Sequence, residues 1–554
     1  MLDACHNHKL QRFVVMELSY SISFLLMSFF FVISLYQLCK HVFPKRRRDD
    51  DHRVSNMSSC SDHVDVAALS LPLPPGPRPL PLVGNLHQLG RRSPHAALAR
   101  LARRHGPLMS LRLGGRATVV VSTRAAARAM FTEHDAALAG RTVYEAMRYG
   151  GDGENEGSII TAQVGPAWRM LRRLCATGFF TAARLDALRG VRAACVDRLV
   201  RRLRAAAGSP VDLGRLLFLT AFNHTGNLVL SRDLLDMKEG EEFFYHAGRI
   251  MELVGKPNVA DFVPWLRWLD PQGIQRGMAE HIGRALEIVG GLVKARVAER
   301  ENGVRCGDEK KKDLLDVLLE FEGNGVDEPH KLSFDTINKV IVEIFIAGID
   351  TTAGTMEWAM AELLRDRSAM AKAQSELRSA AADGEVEEQR LTALPYLRGV
   401  IKETLRLHPP LPLLVPHRAM RACSVLGFGV PEGAQVLVNA WALGRDPETW
   451  REPGRFWPER FGEGGEAAAV EFKGRHHEFI PFGSGRRMCP AIPLVSRLLP
   501  HVLAALLLAF DWDLPPPPPA ARADVDMGER MGISLRKAVP LVAVPVPWRG
   551  TREF

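Results

Sequence analysis

One stretch, Phe482-Gly-Ser-Gly-Arg-Arg-Met-Cys489, limits what this chain can fold into more than any other. It sets two glycines, two arginines and a single cysteine just ahead of an apolar segment, Leu494 to Leu508. Glycine lets the backbone turn tightly and lie close against a flat ligand. Pro490 follows the cysteine, and proline suits a first helical position, so Cys489 is expected at a helix N-terminus. There the helix dipole and free N–H groups favour thiolate over thiol. A lone cysteine is more often a buried structural residue beside a glycine turn. Here the spacing favours a ligating thiolate, of the kind that binds haem iron axially.

Phe482, Gly485, Arg487 and Cys489 stand at the spacing F-x-x-G-x-R-x-C, and on that motif the chain resembles the cytochrome P-450 haem-thiolate monooxygenases. That family's pattern closes on glycine two residues after the cysteine. This chain has Ala491 there, a methyl that bears on how the cysteine loop packs. The resemblance implies a mainly α fold with a small β-rich lobe, preceded by one N-terminal transmembrane helix. It also implies haem b (iron protoporphyrin IX) as cofactor, with Cys489 as the metal ligand.

The eight cysteines are scattered with no C-x-x-C pair, which suggests neither a disulfide framework nor a zinc site and fits a reducing compartment. Asn223-His-Thr225 is a formal glycosylation sequon with no use on a cytosolic face. The net charge of +9 comes partly from a Lys45-Arg-Arg-Arg48 run and partly from residues near the motifs, including Arg169, Arg173, Lys473, Arg475 and Arg486. No zinc-finger pattern or long basic stripe makes nucleic acid a partner.

Residues 18–39 carry no formal charge and are rich in Phe, Leu and Ile. As a helix they span roughly 33 Å, enough for a bilayer core. Basic residues cluster after them, which places the bulk of the protein in the cytosol. The segment therefore reads as a retained anchor. Residues 1–17 precede it, and Met16-Glu-Leu reads as a natural start that makes residues 1–15 an extension. Residues 40–73 read as a basic flank and linker, and residues 74–85 as a proline-rich hinge that stiffens the chain. Residues 86–554 form the expected catalytic domain. Within it, Thr118-Val-Val-Val-Ser122 reads as a strand, and apolar residues recur at helical spacing from Pro166 onward.

Trp168 and Arg172 are four apart on a basic amphipathic helix and so share a face, where an aromatic N–H and a guanidinium suit a carboxylate. By resemblance that carboxylate is a haem propionate, and His417 and Arg487 match further propionate ligands. Ala347-Gly-Ile-Asp350-Thr351-Thr352 interrupts an apolar helical pattern, Val340 to Leu364, at a propensity cost. Alone it reads equally well as a solvated polar face; by resemblance Asp350 and Thr351 are the pair that delivers protons to dioxygen. Glu403 and Arg406 are three apart, and the family joins such a pair to a second arginine, matched by Arg460, to brace the cysteine loop. His476 and His477 are adjacent and read as a solvated loop.

Shorter segments, including Asn258 to Asp261, Asp270 to Gly273, Gly532 to Leu541 and Arg487 to Pro490, look like the plant A-type enzymes and most like the geraniol 8-hydroxylase type. The implied function is hydroxylation of a small lipophilic plant metabolite, a mono- or diterpenoid first. Dioxygen and electrons from NADPH through cytochrome P-450 reductase are implied with it, at the endoplasmic reticulum membrane with the catalytic domain facing the cytosol. A phenylpropanoid or flavonoid hydroxylase is the alternative. A haem-dependent isomerase or dehydratase and a non-enzymatic scaffold are the rivals from other classes. The pocket is expected along Thr142–Thr161, Val342–Ile349, Leu411–Val415 and Met531–Ile533, mainly apolar segments.

Overall fold

Apolar residues at three- and four-residue spacing do fold into helices in a computed structural model, which describes residues 71–90, 93–148, 155–303, 312–381, 386–516 and 524–548. The expected anchor, the residues before it and the flank up to residue 70 lie outside the described residues.

Five helices position the site. Helix α1 (Pro166–Leu174) starts on Pro166, and α2 (Leu213–Leu230) is capped by the Asp212 side chain, which accepts from the Arg215 N–H. Helix α3 (Phe334–Arg365) is 32 residues long and is capped by Ser333, which accepts from the Thr336 N–H. At that length it runs about 48 Å through the molecule, longer at its N-terminal end than the apolar pattern alone implies. The polar interruption does not break it. The Thr351 hydroxyl donates to Ala347 O at 2.7 Å and the Thr355 hydroxyl to Thr351 O at 2.8 Å, so both are satisfied inside the helix. Helix α4 (Pro395–Leu407) buries almost every residue of its second half. Helix α5 (Ile492–Ala509) is apolar enough to cross a membrane, yet 67% of that stretch is buried in the body, so it is a core helix.

The β lobe is built on a five-stranded sheet ordered β1-β2-β5-β4-β3. Its strands are β1 (Leu108–Leu113), β2 (Arg116–Val121), β3 (Gly140–Arg141), β4 (His417–Arg418) and β5 (Gln435–Val438). Strands β2 and β5 run parallel with Thr118 opposite Gln435, and the other pairs are antiparallel. This sheet brings Arg141 and His417 side by side in register, although 276 positions separate them in the chain (417 − 141). A separate hairpin, β6 (Glu529–Met531) with β7 (Leu535–Lys537), packs on α3.

Two buried ionic groups tie these layers together. Glu403 receives Arg406 through two bonds of 2.6 and 2.7 Å and Arg460 Nε at 3.0 Å, all three side chains being fully buried. The arginines also donate to main-chain carbonyls of 444–455, and Arg460 pairs with Glu466 as well, so the group holds that loop directly. The cysteine loop is reached at one remove. Phe461 packs on Phe479, Phe479 on Phe472, and Phe472 on Phe482. The second group is Arg192, fully buried and bidentate on Glu388, with His224 and His501 beside it. Asn223 of the sequon is itself buried in α2 and bonded to Asp233, which closes it to glycosylation in the folded protein.

Burial, and then Arg192 and His501, push His224 from 6.5 down to about 3. Between those values the unfolded chain binds a proton that the folded chain refuses. Stability is therefore full above about pH 6.5 and falls as pH drops below it, by up to about 1.4 kcal/mol per unit. His501, lowered mainly by burial, acts in the same direction. Urea midpoints measured from pH 7 to 4.5 are expected to fall more steeply in the parent than in His224→Leu; equal slopes would reject the assignment.

Candidate active site

The cysteine loop closes on itself. The Cys489 N–H donates to Phe482 O at 2.9 Å, the Gly483 N–H to Ile480 O at 3.0 Å and the Met488 N–H to Gly485 O at 3.2 Å. Gly483 and Gly485 both have left-handed φ, +72° and +63°. Glycine is needed at 485 for a second reason: a Cβ there would stand 2.1 Å from Asp135 Oδ1, and that carboxylate accepts from the Arg486 N–H and guanidinium. Helix α5 begins at Ile492 with Ala491 as its N-cap, two residues later than Pro490 suggests; the second proline, Pro493, occupies the first turn. Cys489 therefore precedes the helix rather than opening it. Its dominant influence is burial, which raises the thiol, opposed by the Ala491 N–H and by Arg172. Ala491 itself has φ −87°, an ordinary conformation, so its methyl brings no backbone strain.

Around this loop the structure assembles Trp168, Arg172, His417 and Arg487, and adds Arg141, which the sequence reading missed. Arg172 donates to Met488 O at 2.6 Å, and Arg487 donates to Ala139 O at 2.8 Å and Ala162 O at 2.5 Å. Arg141 donates to Val415 O at 2.6 Å and Ile160 O at 3.2 Å. The Trp168 ring lies 4.1 Å from the Arg487 guanidinium and 5.8 Å from that of Arg172, while its indole N–H bonds to Ile159 O at 3.1 Å. His417 Nδ1 meets Leu138 O at 2.8 Å. Among the described residues none of these three arginines pairs with a carboxylate, and Arg487 Nη1 has no hydrogen-bond partner. The electrostatic cost is legible. Burial and then Arg172 lower Arg487 to about 10; burial, Arg487 and Arg172 lower Arg141; burial, followed by Arg141, holds His417 well below its usual range.

On α3, Ala347 is exposed between the buried Phe345 and Ile349, with Gly348 and Thr351 half-buried beside it, so one stripe of the helix is free of packed side chains. Asp350 is turned elsewhere. It is buried, accepts from the Ser534 hydroxyl and pairs with Arg536, whose guanidinium lies 4.8 Å from the Phe218 ring. Asp350 and Thr351 are thus neighbours in sequence but not on one face, as the 100° step between consecutive helical residues dictates. The segments expected to line a pocket contribute half-buried apolar residues, among them Ile344, Ile346, Leu411, Leu413, Met531 and Ile533. The polar groups Glu343, Ser534 and Arg536 were not anticipated beside them.

Two surface readings change. Arg173 forms a bidentate pair with Glu328 at 2.6 and 2.5 Å, so its charge is largely neutralised. His477 is buried and stacked on Phe131 rather than solvated.

A half-buried cysteine in a glycine loop, ringed by arginines that lack a counter-anion and set in a mainly helical body, defines a protein that holds an anionic prosthetic group by a thiolate. The residues fit haem. Cys489 would supply a sulfur ligand, and the arginine cluster with its orphaned Nη1 would supply donors for two carboxylates. The chain belongs to the cytochrome P450 family, whose model matches residues 74–531. It is 42% identical to an iridoid oxidase of Catharanthus roseus (85% of this chain, 92% of that protein) and 41% identical to a geraniol 8-hydroxylase of the same plant (85% and 94%). Its fold is similar to a zebra fish cytochrome P450 solved with abiraterone (TM-score 0.67, 26% identity, 82% of this chain and 100% of that one). The chain is a cytochrome P450 monooxygenase and its cofactor is haem.

Gly485→Ala is expected to lose at least about 1–2 kcal/mol from the left-handed conformation alone, with the Asp135 clash added. The check is the yield of thiolate-type carbon monoxide difference band per milligram of protein, which should fall well below the parent's; an equal yield would mean the loop tolerates a side chain there.

Proposed function

We propose that this monooxygenase hydroxylates a small lipophilic terpenoid, a mono- or diterpenoid, at the endoplasmic reticulum membrane. The observation that carries the site assignment is the cluster of two buried arginines, Arg141 and Arg487, and the half-buried Arg172, without a carboxylate among the described residues, beside Cys489. The terpenoid class is supported by the relatives' names and by the half-buried apolar residues of the expected pocket segments, which hold substrate by burial rather than by charge.

When bound, haem supplies the oxidising chemistry, so that one atom of dioxygen enters the substrate and the other leaves as water. The chain's residues bind and orient. Cys489 would be the thiolate ligand, and Phe482, which opens the same loop, accepts from the Cys489 N–H and packs on Phe472. Arg172, Arg487, Arg141 and His417 would hold the propionates, which would satisfy Arg487 Nη1 and relieve the repulsion among the guanidiniums, while Trp168, its one donor on Ile159 O, packs against the Arg487 guanidinium and orients it. Thr351, on the open stripe of α3, holds a proton at its hydroxyl beside the oxygen-binding side. Asp350 relays that proton from solvent: once its carboxylate releases Ser534 and Arg536 it takes a proton from water and passes it on toward the Thr351 hydroxyl.

NADPH–cytochrome P-450 reductase supplies the two electrons. Exposed Lys473 and Arg475 are its docking charges, on a segment tied to the cysteine loop where Ser484 donates to Gly474 O at 2.6 Å. Membrane attachment through residues 18–39 is supported by exposed Trp265, Trp268 and Leu269 with Leu80, Leu82 and Val83. These two groups meet across Gly114 and Gly115, which donate to Val83 O at 3.1 Å and Phe262 O at 2.8 Å.

The test is a carbon monoxide difference spectrum of the reduced, membrane-expressed protein, followed by turnover of geraniol with reductase and NADPH. The parent is expected to show a thiolate-type Soret band that Cys489→Ala abolishes. Thr351→Ala is expected to keep the band and lose about 10²-fold in product formation. Absence of the band in folded parent protein would sink the site assignment, and turnover confined to phenylpropanoids would sink the substrate class.

A further inference from the structure

The loop between Asn155 and Gln163 is gripped from two sides. Its donors run to Glu343 on α3: the Ile159 N–H at 2.7 Å and the Ile160 N–H at 3.4 Å reach Oε2, and the Ser158 hydroxyl reaches Oε1. Its carbonyls run the other way, Ile159 O to the Trp168 indole, Ile160 O to Arg141 and Ala162 O to Arg487. Internal bonds stiffen it. Ser158 and Thr161 are 2.8 Å apart at their hydroxyls, and Asn155, at φ +54°, donates to Met147 O at 2.6 Å and to Thr161 Oγ1 at 2.9 Å.

Glu343 is 3% exposed and stands one turn ahead of Ala347 and two ahead of Thr351, so the three share one stripe of α3. A carboxylate suits this place because it is acceptor-only and three donors converge on it. Glutamine has nearly the same shape but would turn an N–H₂ toward one of those donors. Ile159 packs against the core and Ile160 is half-buried, so the peptide that Glu343 fixes also sets where two large apolar side chains lie.

We propose that Glu343 is a positioning residue that determines specificity: by locking the Ile159–Ile160 peptide to α3, it fixes that edge of the substrate pocket against the Ala347–Thr351 stripe and so selects which substrate carbon is oxidised. The inference rests on the monooxygenase reading and concerns the placement of substrate, not the thiolate or the propionate cluster.

Holoenzyme of the parent, Glu343→Gln and Ser158→Ala is compared in two ways. Hydrogen exchange of residues 155–163 needs no substrate; it is expected to quicken about tenfold in Glu343→Gln and less in Ser158→Ala. With geraniol, KM is expected to rise about tenfold and a second regioisomer to appear, with the carbon monoxide band per milligram unchanged. Unchanged exchange overturns the inference. So does quickened exchange with an unchanged product ratio in an active parent. A parent that ignores geraniol is a failure of the substrate reading alone, and exchange then decides whether the clamp exists. If Glu343→Gln yields no holoenzyme, Ser158→Ala, which leaves both main-chain bonds in place, decides by the same two readouts.

Discussion

Three guanidiniums around one cysteine, those of Arg141 and Arg487 buried and that of Arg172 half-buried, set the terms for the rest of this structure. Removing a charge from water costs several kcal/mol even after relaxation, and like charges in one site add to that cost. Arg141, Arg172 and Arg487 are held in place by main-chain carbonyls from Ala139 just before β3, the 155–163 loop, the cysteine loop and the segment before β4. Carbonyl dipoles orient a guanidinium but do not cancel it. The fold thus carries an unbalanced positive site that an anionic ligand completes, and binding to the native state alone is itself a source of stability. The prosthetic group and the fold are coupled through this electrostatic debt as much as through the sulfur.

Elements with local causes were legible in the sequence. The helical run over Val340 to Leu364, the strand Thr118 to Ser122 and the F-x-x-G-x-R-x-C spacing each follow from residue type and period, and each lies where expected. The Glu403–Arg406 pair was visible at i, i+3, but its third member, Arg460, was legible only through the resemblance, because 54 positions of chain separate it from Arg406. Arg141 was invisible for the same reason in stronger form. Nothing in Gly140-Arg141-Thr142 marks it as buried; the sheet pairing with His417 does that. The start of α5 was misjudged because two prolines compete for the first turn. Pro493 takes it, and Pro490 remains in the turn that carries Cys489.

Asp350 shows how far sequence adjacency can mislead. An acid and an alcohol side by side suggest a cooperating pair, yet a helix separates neighbours by about 100°. Thr351 bonds back to Ala347 O along the open stripe, and Asp350 points to the β6–β7 hairpin side. The signal for its partner was present as Ser534 and Arg536, two apart at the entry to β7. Positions i and i+2 project to one face of an extended strand, so a hydroxyl and a guanidinium at that spacing can reach one carboxylate together. The pattern is short and common, and only the packing of the hairpin on α3 gives it meaning.

Polar residues in the middle of α3 carry a propensity cost, and the structure shows what offsets it. Glu343 and Asp350 are seven residues apart, about two turns, and both are buried. Each is met by donors from a different segment: Ser158, Ile159 and Ile160 at the first, Ser534 and Arg536 at the second. Those two segments come from opposite ends of the catalytic domain and have no local reason to approach one another. A buried carboxylate left without donors would be costly, so each acid fixes one segment against the helix rather than merely tolerating it. Helix α3 therefore works as a measured spine, with the Ala347–Thr351 stripe between two acidic anchor points. Moving either acid by one residue would rotate its grip by about 100° and carry the attached segment off the site.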